Sequence, residues 1–324
     1  MEKESVTGKN IVVTGGAGFI GSHLCDQLLS MNPSRLVIID DFSLGKERNI
    51  QGLKENAKVK VYSADASDMS KMENIFENKS VDVVFNLAVV PLPKSLQFPK
   101  ETVDTNLLIT TTMCELLRRK YYKTLISCSS SEAYGSALYV PMDENHPERP
   151  LTPYAASKIA GDHIAISYFK TFELDVAIAR PFNTYGPRQN EGSYAGVIPM
   201  TIERILTGQA PIIQGDGLQT RDYSYVEDMA EALRLIYEFP ETRGRIVNIA
   251  SGTEITIKEI IDLIVKLIGY QGEIMHAPSR PGDVRRHKGD ISLAKALIHY
   301  SPKTDFHTGL KKTIDWYKKE WLAS

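Results

Sequence analysis

Six short apolar runs, each followed by a longer amphipathic stretch, constrain the first half of this chain more than any other feature. Asn10–Thr14 (NIVVT), Arg35–Asp40 (RLVIID), Lys58–Tyr62 (KVKVY), Asp82–Asn86 (DVVFN), Thr124–Cys128 (TLISC) and Leu174–Ala179 (LDVAIA) are rich in β-branched residues. Helical spacing falls between them, over Phe19–Ser30, Met69–Glu77, Thr102–Lys120 and Tyr154–Phe172. Such alternation predicts an α/β fold: a doubly wound parallel sheet with helices on both faces. Strands covered on both sides are buried throughout, which accounts for their unbroken apolar character.

Beyond Arg180 the pattern changes. Pro and Gly become frequent (RPFNTYGPRQNEG, QGDGLQTRD, APSRPGDV) and strands sparse. Helices are expected over Val197–Thr207, Glu227–Phe239, Ile257–Ile268, Ser292–Ile298 and Gly309–Trp321. In the last of these, Leu310, Ile314, Trp316 and Trp321 form a packing face. The expected division is a sheet domain over residues 1–180 and a smaller, discontinuous substrate-binding domain over 181–324. Segments near 222–250 return to the sheet, because Arg245–Ala250 (RIVNIA) reads as a further strand.

The 324 residues carry a net charge of −2, which disfavours a phosphate backbone as partner; no nucleic acid is expected. Three scattered cysteines make neither a disulfide framework nor a CxxC zinc site, and the seven histidines lack metal-ligand spacing; no metal is expected. Cys25 and Cys114 are read as core residues. No apolar run approaches the roughly 20 residues of a membrane span. The polar N-terminus lacks the apolar core of a secretory signal, so a cytoplasmic protein without membrane attachment is expected.

The segment Gly15-Gly16-Ala17-Gly18-Phe19-Ile20-Gly21 closes the first strand and opens the first helix. Gly15 permits the tight turn, Gly18 lets a pyrophosphate approach the backbone, and Gly21 lets helix and strand pack closely. The free N–H groups of the helix start then face the phosphates. Asp40 and Asp41 end the second strand, where a carboxylate accepts ribose hydroxyls and repels a 2′-phosphate. This predicts a Rossmann-type site for NAD rather than NADP, although Lys46 and Arg48 lie nearby. Downstream, Tyr154 and Lys158 stand at i and i+4 on one helix face, where an ammonium would favour the phenolate. Such a phenol is a usable general base. The stretch Ser127-Cys128-Ser129-Ser130-Ser131-Glu132-Ala133-Tyr134-Gly135 lies at the carboxyl end of a strand, where open α/β sheets bind ligands.

With these elements placed, the chain resembles the extended short-chain dehydrogenases/reductases that act on nucleotide sugars. The resemblance runs almost end to end through TGGAGFIG, Asp40-Asp41, Asp65-Ala66, Asn86-Leu87-Ala88, Asn106, SSSEAYG, YAASK, RPFNTYGPRQ, GDGLQTRDYSYVED and RPGDVRRHKGDI. It implies Tyr154 as the base at the sugar 4-hydroxyl, Lys158 as its activator and a ribose contact, and Ser130 as a hydrogen-bond partner of that hydroxyl. It further implies Asp65 and Ala66 at the adenine, Leu87, Ala88 and Pro181 along the cofactor cleft, and Asn106 in support of that cleft. For a UDP-sugar it implies Ser131, Asn183, Arg188, Val197, Gln214, Arg221 and Arg280 as substrate contacts, with Asp283 on the uridine ribose. Relatives commonly dimerise through Thr102–Lys120 and Tyr154–Phe172, which implies a homodimer.

All such enzymes share oxidation at carbon 4, and the fate of the ketone distinguishes them. Glu132 resembles the glutamate of dehydratases and UDP-uronate decarboxylases, and with the preceding Ser131 the pair is closer to UDP-glucuronate decarboxylases and to GDP-mannose dehydratases, while the GPRQNEGSYAGVIP stretch resembles that of uridine-linked enzymes. The resemblance thus places decarboxylation of a UDP-hexuronate, UDP-glucuronate or UDP-N-acetylglucosaminuronate, to a UDP-pentose first. UDP-sugar 4-epimerisation comes second and dehydration third, with a non-catalytic NAD-binding sensor or scaffold as the other class. A substrate carboxylate requires a cation, for which Lys94, Arg188, Arg286 and His287 are the candidates, and His287 stands where decarboxylases place an arginine.

Overall fold

The computed structural model describes residues 3–77, 80–190, 196–279 and 284–323. Its chain order begins β1 (Asn10–Thr14), α1 (Phe19–Ser30), β2 (Arg35–Asp40), α2 (Gln51–Lys54), β3 (Val59–Ser63), α3 (Met69–Phe76), β4 (Val81–Asn86), α4 (Leu92–Ser95), α5 (Pro99–Arg118) and β5 (Tyr122–Cys128). It continues with α6 (Pro153–Phe172), β6 (Asp175–Pro181), β7 (Asn183–Tyr185), α7 (Val197–Leu206), β8 (Ile212–Gln214), β9 (Thr220–Arg221), β10 (Tyr223–Tyr225) and α8 (Val226–Glu238). The last elements are β11 (Ile246–Ile249), β12 (Ile255–Thr256), α9 (Ile257–Ile268), β13 (Met275–Ala277), α10 (Ser292–Ile298) and α11 (Phe306–Ala323).

Seven strands form one parallel sheet in the order β11-β6-β5-β4-β1-β2-β3. This is the expected α/β, Rossmann-type doubly wound sheet. The order reverses between β1 and β4, the switch point where such sheets bind ligands outside their carboxyl ends. Alternate residues of β1 divide between the two faces: Ile11 and Val13 enter one buried cluster, Val12 the other. The first cluster packs α1 and α8 on one face, the second α3, α5 and α6 on the other. A third cluster, around α7, α9 and α11, forms the core of the C-terminal elements.

The returning strand is β11, paired to β6 through Ile246↔Ile178 and Ile249↔Pro181. Local chemistry sets the helix ends. Thr152 accepts the Ala155 N–H at 3.1 Å before Pro153 starts α6, and Thr256 with Glu259 closes a capping box on α9. Leu310 and Ile314 are buried in the third cluster with Trp316 against them; the Trp321 side chain lies outside the described residues. Among the described residues no helix is long and apolar enough to cross a membrane.

Candidate active site

At the switch point lies a cleft of about 440 Å³. The turn after β1 brings Gly15, Gly18, Phe19, Ile20 and Gly21 to it; the ends of β2 and β3 bring Asp40, Asp41, Asp65 and Ala66. Leu87 and Ala88 enter after β4, Tyr154 and Lys158 from α6, and Pro181 from β6. Gly15 has φ +66°, and a Cβ there would meet the Leu87 and Ala88 backbone at 2.8 Å. A Cβ at Gly21 would collide with the Gly15 carbonyl oxygen. The bare backbone is therefore required by contacts within the fold, and the cradle suits a pyrophosphate.

The Asp40 carboxylate accepts N–H bonds from Ala17 and Phe42, each at 2.9 Å. Burial pushes its pKa up, opposed by those backbone donors. A carboxylate has about four acceptor positions, so capacity remains for a ribose hydroxyl. Asp41 instead accepts from the Ser43 N–H at 2.9 Å and fixes the following turn. Arg48 lies over the Trp316 ring at 5.8 Å and pairs with Glu320 at 3.5 Å, tied to α11. Asn106 stands behind the cleft wall, exchanging two hydrogen bonds with the Val90 backbone at 2.8 and 3.1 Å. Ser43, Leu44, Gly45, Val90 and Thr105 also line the cleft and escaped sequence reasoning. Gly45 alone left a signal, a glycine in the turn after β2; a Cβ there would strike the Asp40 carboxylate.

The residue expected to act as base is half-buried in the first turn of α6, beside the sheet end. Its acidity differs from expectation: burial raises the Tyr154 pKa, opposed by a hydrogen bond from Ser130, while Cys128, Glu132 and Asp162 raise it further. The Lys158 ammonium donates to the Cys128 carbonyl oxygen at 2.6 Å. Ser130 accepts the Glu132 N–H at 3.2 Å, which leaves its own hydrogen for the phenol oxygen. Burial pushes the Cys128 thiol up to about 11, so it stays protonated at neutral pH.

A second cavity, of about 260 Å³, adjoins the cleft and shares Pro91, Ser130, Tyr154 and Phe182 with it. Leu92, Pro93, Ser131, Glu132 and Asn183 complete its wall. The Asn183 Nδ2 is buried without a hydrogen-bond partner among the described residues, a donor that suits an anionic or hydroxylated ligand.

Of the other expected substrate contacts, Arg188, Val197, Gln214 and Arg221 are not brought to these cavities. Arg188 pairs with Asp26 of α1 at 2.7 Å. Val197 opens α7, and the Gln214 carbonyl at the end of β8 accepts from Gln219 at 3.0 Å. Arg221 is buried, its guanidinium on the carbonyls of Thr220 (2.8 Å) and Val284 (2.5 Å). Arg280 and Asp283 lie outside the described residues. His287 is a correction as a cation. It is fully buried beside Phe182, with Nε2 3.3 Å from the Ser131 carbonyl oxygen. Burial and then the Arg221 charge lower its pKa to about 3, so it is neutral at physiological pH.

A protein of Methanocaldococcus jannaschii provisionally designated a UDP-glucose 4-epimerase is 38% identical over 310 residues, covering 95% of this chain and 98% of its own. UDP-glucuronic acid decarboxylase 6 of Arabidopsis thaliana is 32% identical, covering 93% of this chain and 86% of its own. The crystal structure of UDP-glucuronic acid 4-epimerase from Bacillus cereus, in complex with UDP-glucuronic acid and NAD, superposes with a TM-score of 0.87 at 31% identity, over 96% of this chain and 99% of that one. The profile of the family described as GDP-mannose 4,6 dehydratase matches residues 12–313. The chain accordingly belongs to that family of extended short-chain dehydrogenases/reductases, the NAD-dependent enzymes of nucleotide-sugar epimerisation, dehydration and decarboxylation.

Proposed function

We propose that the protein is a UDP-sugar 4-epimerase acting on a sugar with an uncharged carbon 6. The observation that carries this reading is the engagement of the cations a carboxylate would require. Lys94 pairs with Glu101 at 2.7 Å, Arg286 with Glu254 at 2.6 Å and Arg188 with Asp26 at 2.7 Å. His287 is neutral. Of these four, only Lys94 lines the cleft, and none lines the second cavity. The epimerase relative at 38% identity supports the same ranking. This reverses the order expected from the Ser131-Glu132 pair.

NAD, when bound, supplies the electron acceptor for carbon 4. The chain does the rest. Gly15, Gly18 and Gly21 hold the pyrophosphate and Asp40 the ribose. As the phenolate, which the charge of bound NAD and the Lys158 ammonium would favour, Tyr154 takes the 4-hydroxyl proton, and Ser130 donates to the oxygen left behind. Asn183 donates to the diphosphate. Glu132 favours a second reading, since it lines the same cavity as Tyr154 and could serve elimination or decarboxylation.

The test is nuclear magnetic resonance of UDP-glucose, UDP-N-acetylglucosamine, UDP-glucuronate and UDP-N-acetylglucosaminuronate incubated separately with the NAD-loaded protein. Axial–equatorial exchange at carbon 4 of an uncharged sugar, carbon 6 retained, is expected. Loss of carbon 6 from a uronate would overturn the proposal in favour of decarboxylation, and a 4-keto-6-deoxy product in favour of dehydration.

A further inference from the structure

Three consecutive residues leaving β5 are each bound to the same face of α6. Cys128 accepts from Lys158 through its carbonyl at 2.6 Å, Ser129 Oγ donates to Asp162 at 2.5 Å, and Ser130 bonds Tyr154. The helix residues are spaced i, i+4 and i+8, which places them on one face. The first and third of these contacts involve the residues already assigned to chemistry. The second does not. Asp162 is almost fully buried, and its carboxylate meets Arg180 of β6 at 2.7 Å. Arg180 is itself fully buried, reaches Glu148 at 2.8 Å, and lies over the Tyr134 ring at 4.7 Å. An ion pair sealed this deep costs desolvation and is weak evidence for stability alone. The Asp162 charge bears on the Tyr154 phenol.

We infer that Asp162 and Arg180 are positioning residues that fix the β5 end against α6 and, by balancing each other's charge, set the acidity of the Tyr154 phenol. The inference rests on the assignment of Tyr154 as the base. The other groups facing the phenol are Cys128 at the end of β5, Glu132 in the turn that follows, Lys158 on its own helix and Lys94 on the same cleft. Facing the pair are Ser129, Tyr134 and Glu148, the last also held by His163 at 3.0 Å. Asp162 stands about 12 Å along the helix axis from Tyr154. At that range an unbalanced unit charge in a protein interior shifts a phenol by about one pH unit.

The two members of the pair therefore carry predictions of opposite sign. Asp162→Asn removes one negative charge, leaving Arg180 paired with Glu148 alone, and shifts the Tyr154 titration down by about one pH unit. Arg180→Met leaves Asp162 and Glu148 without their shared cation and shifts it up. The double variant carries neither charge and returns the titration close to the parent's; it serves as the test if Arg180→Met does not fold. Two readouts are taken on NAD-loaded protein. One is the ultraviolet phenolate band, assigned to Tyr154 by subtracting Tyr154→Phe in each background. The other is the acid limb of single-turnover reduction of bound NAD by UDP-glucose or UDP-N-acetylglucosamine.

The phenolate readout needs no substrate, so it reports on this inference even if both sugars leave NAD oxidised and the proposed function falls. Shifts of the same sign, or an Asp162→Asn titration that coincides with the parent's, would reduce the pair to a structural role and overturn the inference. A double variant that keeps a displaced titration would do the same.

Discussion

Asn106 meets both polar atoms of the Val90 peptide: Oδ1 accepts its N–H at 2.8 Å and Nδ2 donates to its carbonyl at 3.1 Å, while Nδ2 also reaches Ser157 at 3.0 Å. One side chain on α5 thus ties the cleft wall after β4 to the helix that carries Tyr154. Asn106→Ala leaves these buried groups unpaired, at about 1–3 kcal/mol in stability. We expect a lower melting temperature and NAD affinity reduced about tenfold, a loss of about 1.4 kcal/mol, measured by calorimetric titration. Unchanged affinity would remove Asn106 from the cofactor site.

Gly21→Ala drives a methyl group into the Gly15 carbonyl oxygen. The clash is with backbone on a tight turn, so it cannot be relieved by a rotamer change. The expected result is loss of NAD binding with secondary structure retained, followed by fluorescence titration and circular dichroism.

Tyr154→Phe keeps the ring and removes the acidic oxygen. Turnover should fall by about 10²–10⁴, the range of general acid–base catalysis, with NAD still bound. A scaffold would tolerate the change in its assembly. Glu132→Gln is expected to leave epimerisation within a few-fold of the parent. Its abolition would favour the elimination or decarboxylation chemistry of the second reading.

Two buried histidines make stability fall on acidification. Burial lowers the His23 pKa to about 4 and, with the Arg221 charge, that of His287 to about 3, against 6.5 for the ordinary side chain. Below pH 6.5 the unfolded chain binds protons that the folded one refuses. The stabilisation present above pH 6.5 is therefore lost as pH falls toward 4 and 3, at up to about 1.4 kcal/mol per pH unit for each histidine. Denaturant melts from pH 7 to pH 5 should show this slope, and His287→Gln should flatten it.

Leu108 of α5 and Phe172 of α6 are 53% and 49% exposed, on two helices that pack side by side. We expect a homodimer through this face, with Leu108→Glu yielding monomers. Light scattering at micromolar concentration checks both, and a monomeric parent protein would refute the interface.

Much of this architecture was legible in the chain because its signals are local. The β-branched runs and intervening periodicity located all seven sheet strands, including Ile246–Ile249, and placed β1, β2, α1, α9 and α10 at their observed limits. The glycine turn and the Tyr154–Lys158 spacing likewise depend on neighbours in sequence. Helix α4 escaped because four residues that include Pro93 and follow Pro91 show no helical period, although proline is tolerated in a first helical turn. The partners of Arg188, Arg286 and Arg221 escaped because they come from distant segments, at Asp26, Glu254 and Val284. The neutrality of His287 escaped for a related reason: its cause is burial, which only the assembled fold creates.

The partition between cleft and second cavity limits how selectivity can drift. Pro91, Ser130, Tyr154 and Phe182 belong to both walls, so altering any of them disturbs dinucleotide and carbohydrate together. Leu92, Pro93, Ser131, Glu132 and Asn183 face only the smaller space. Among the described residues, those five are the places where a change of substrate fit disturbs the coenzyme cleft least, which makes them targets for redesign.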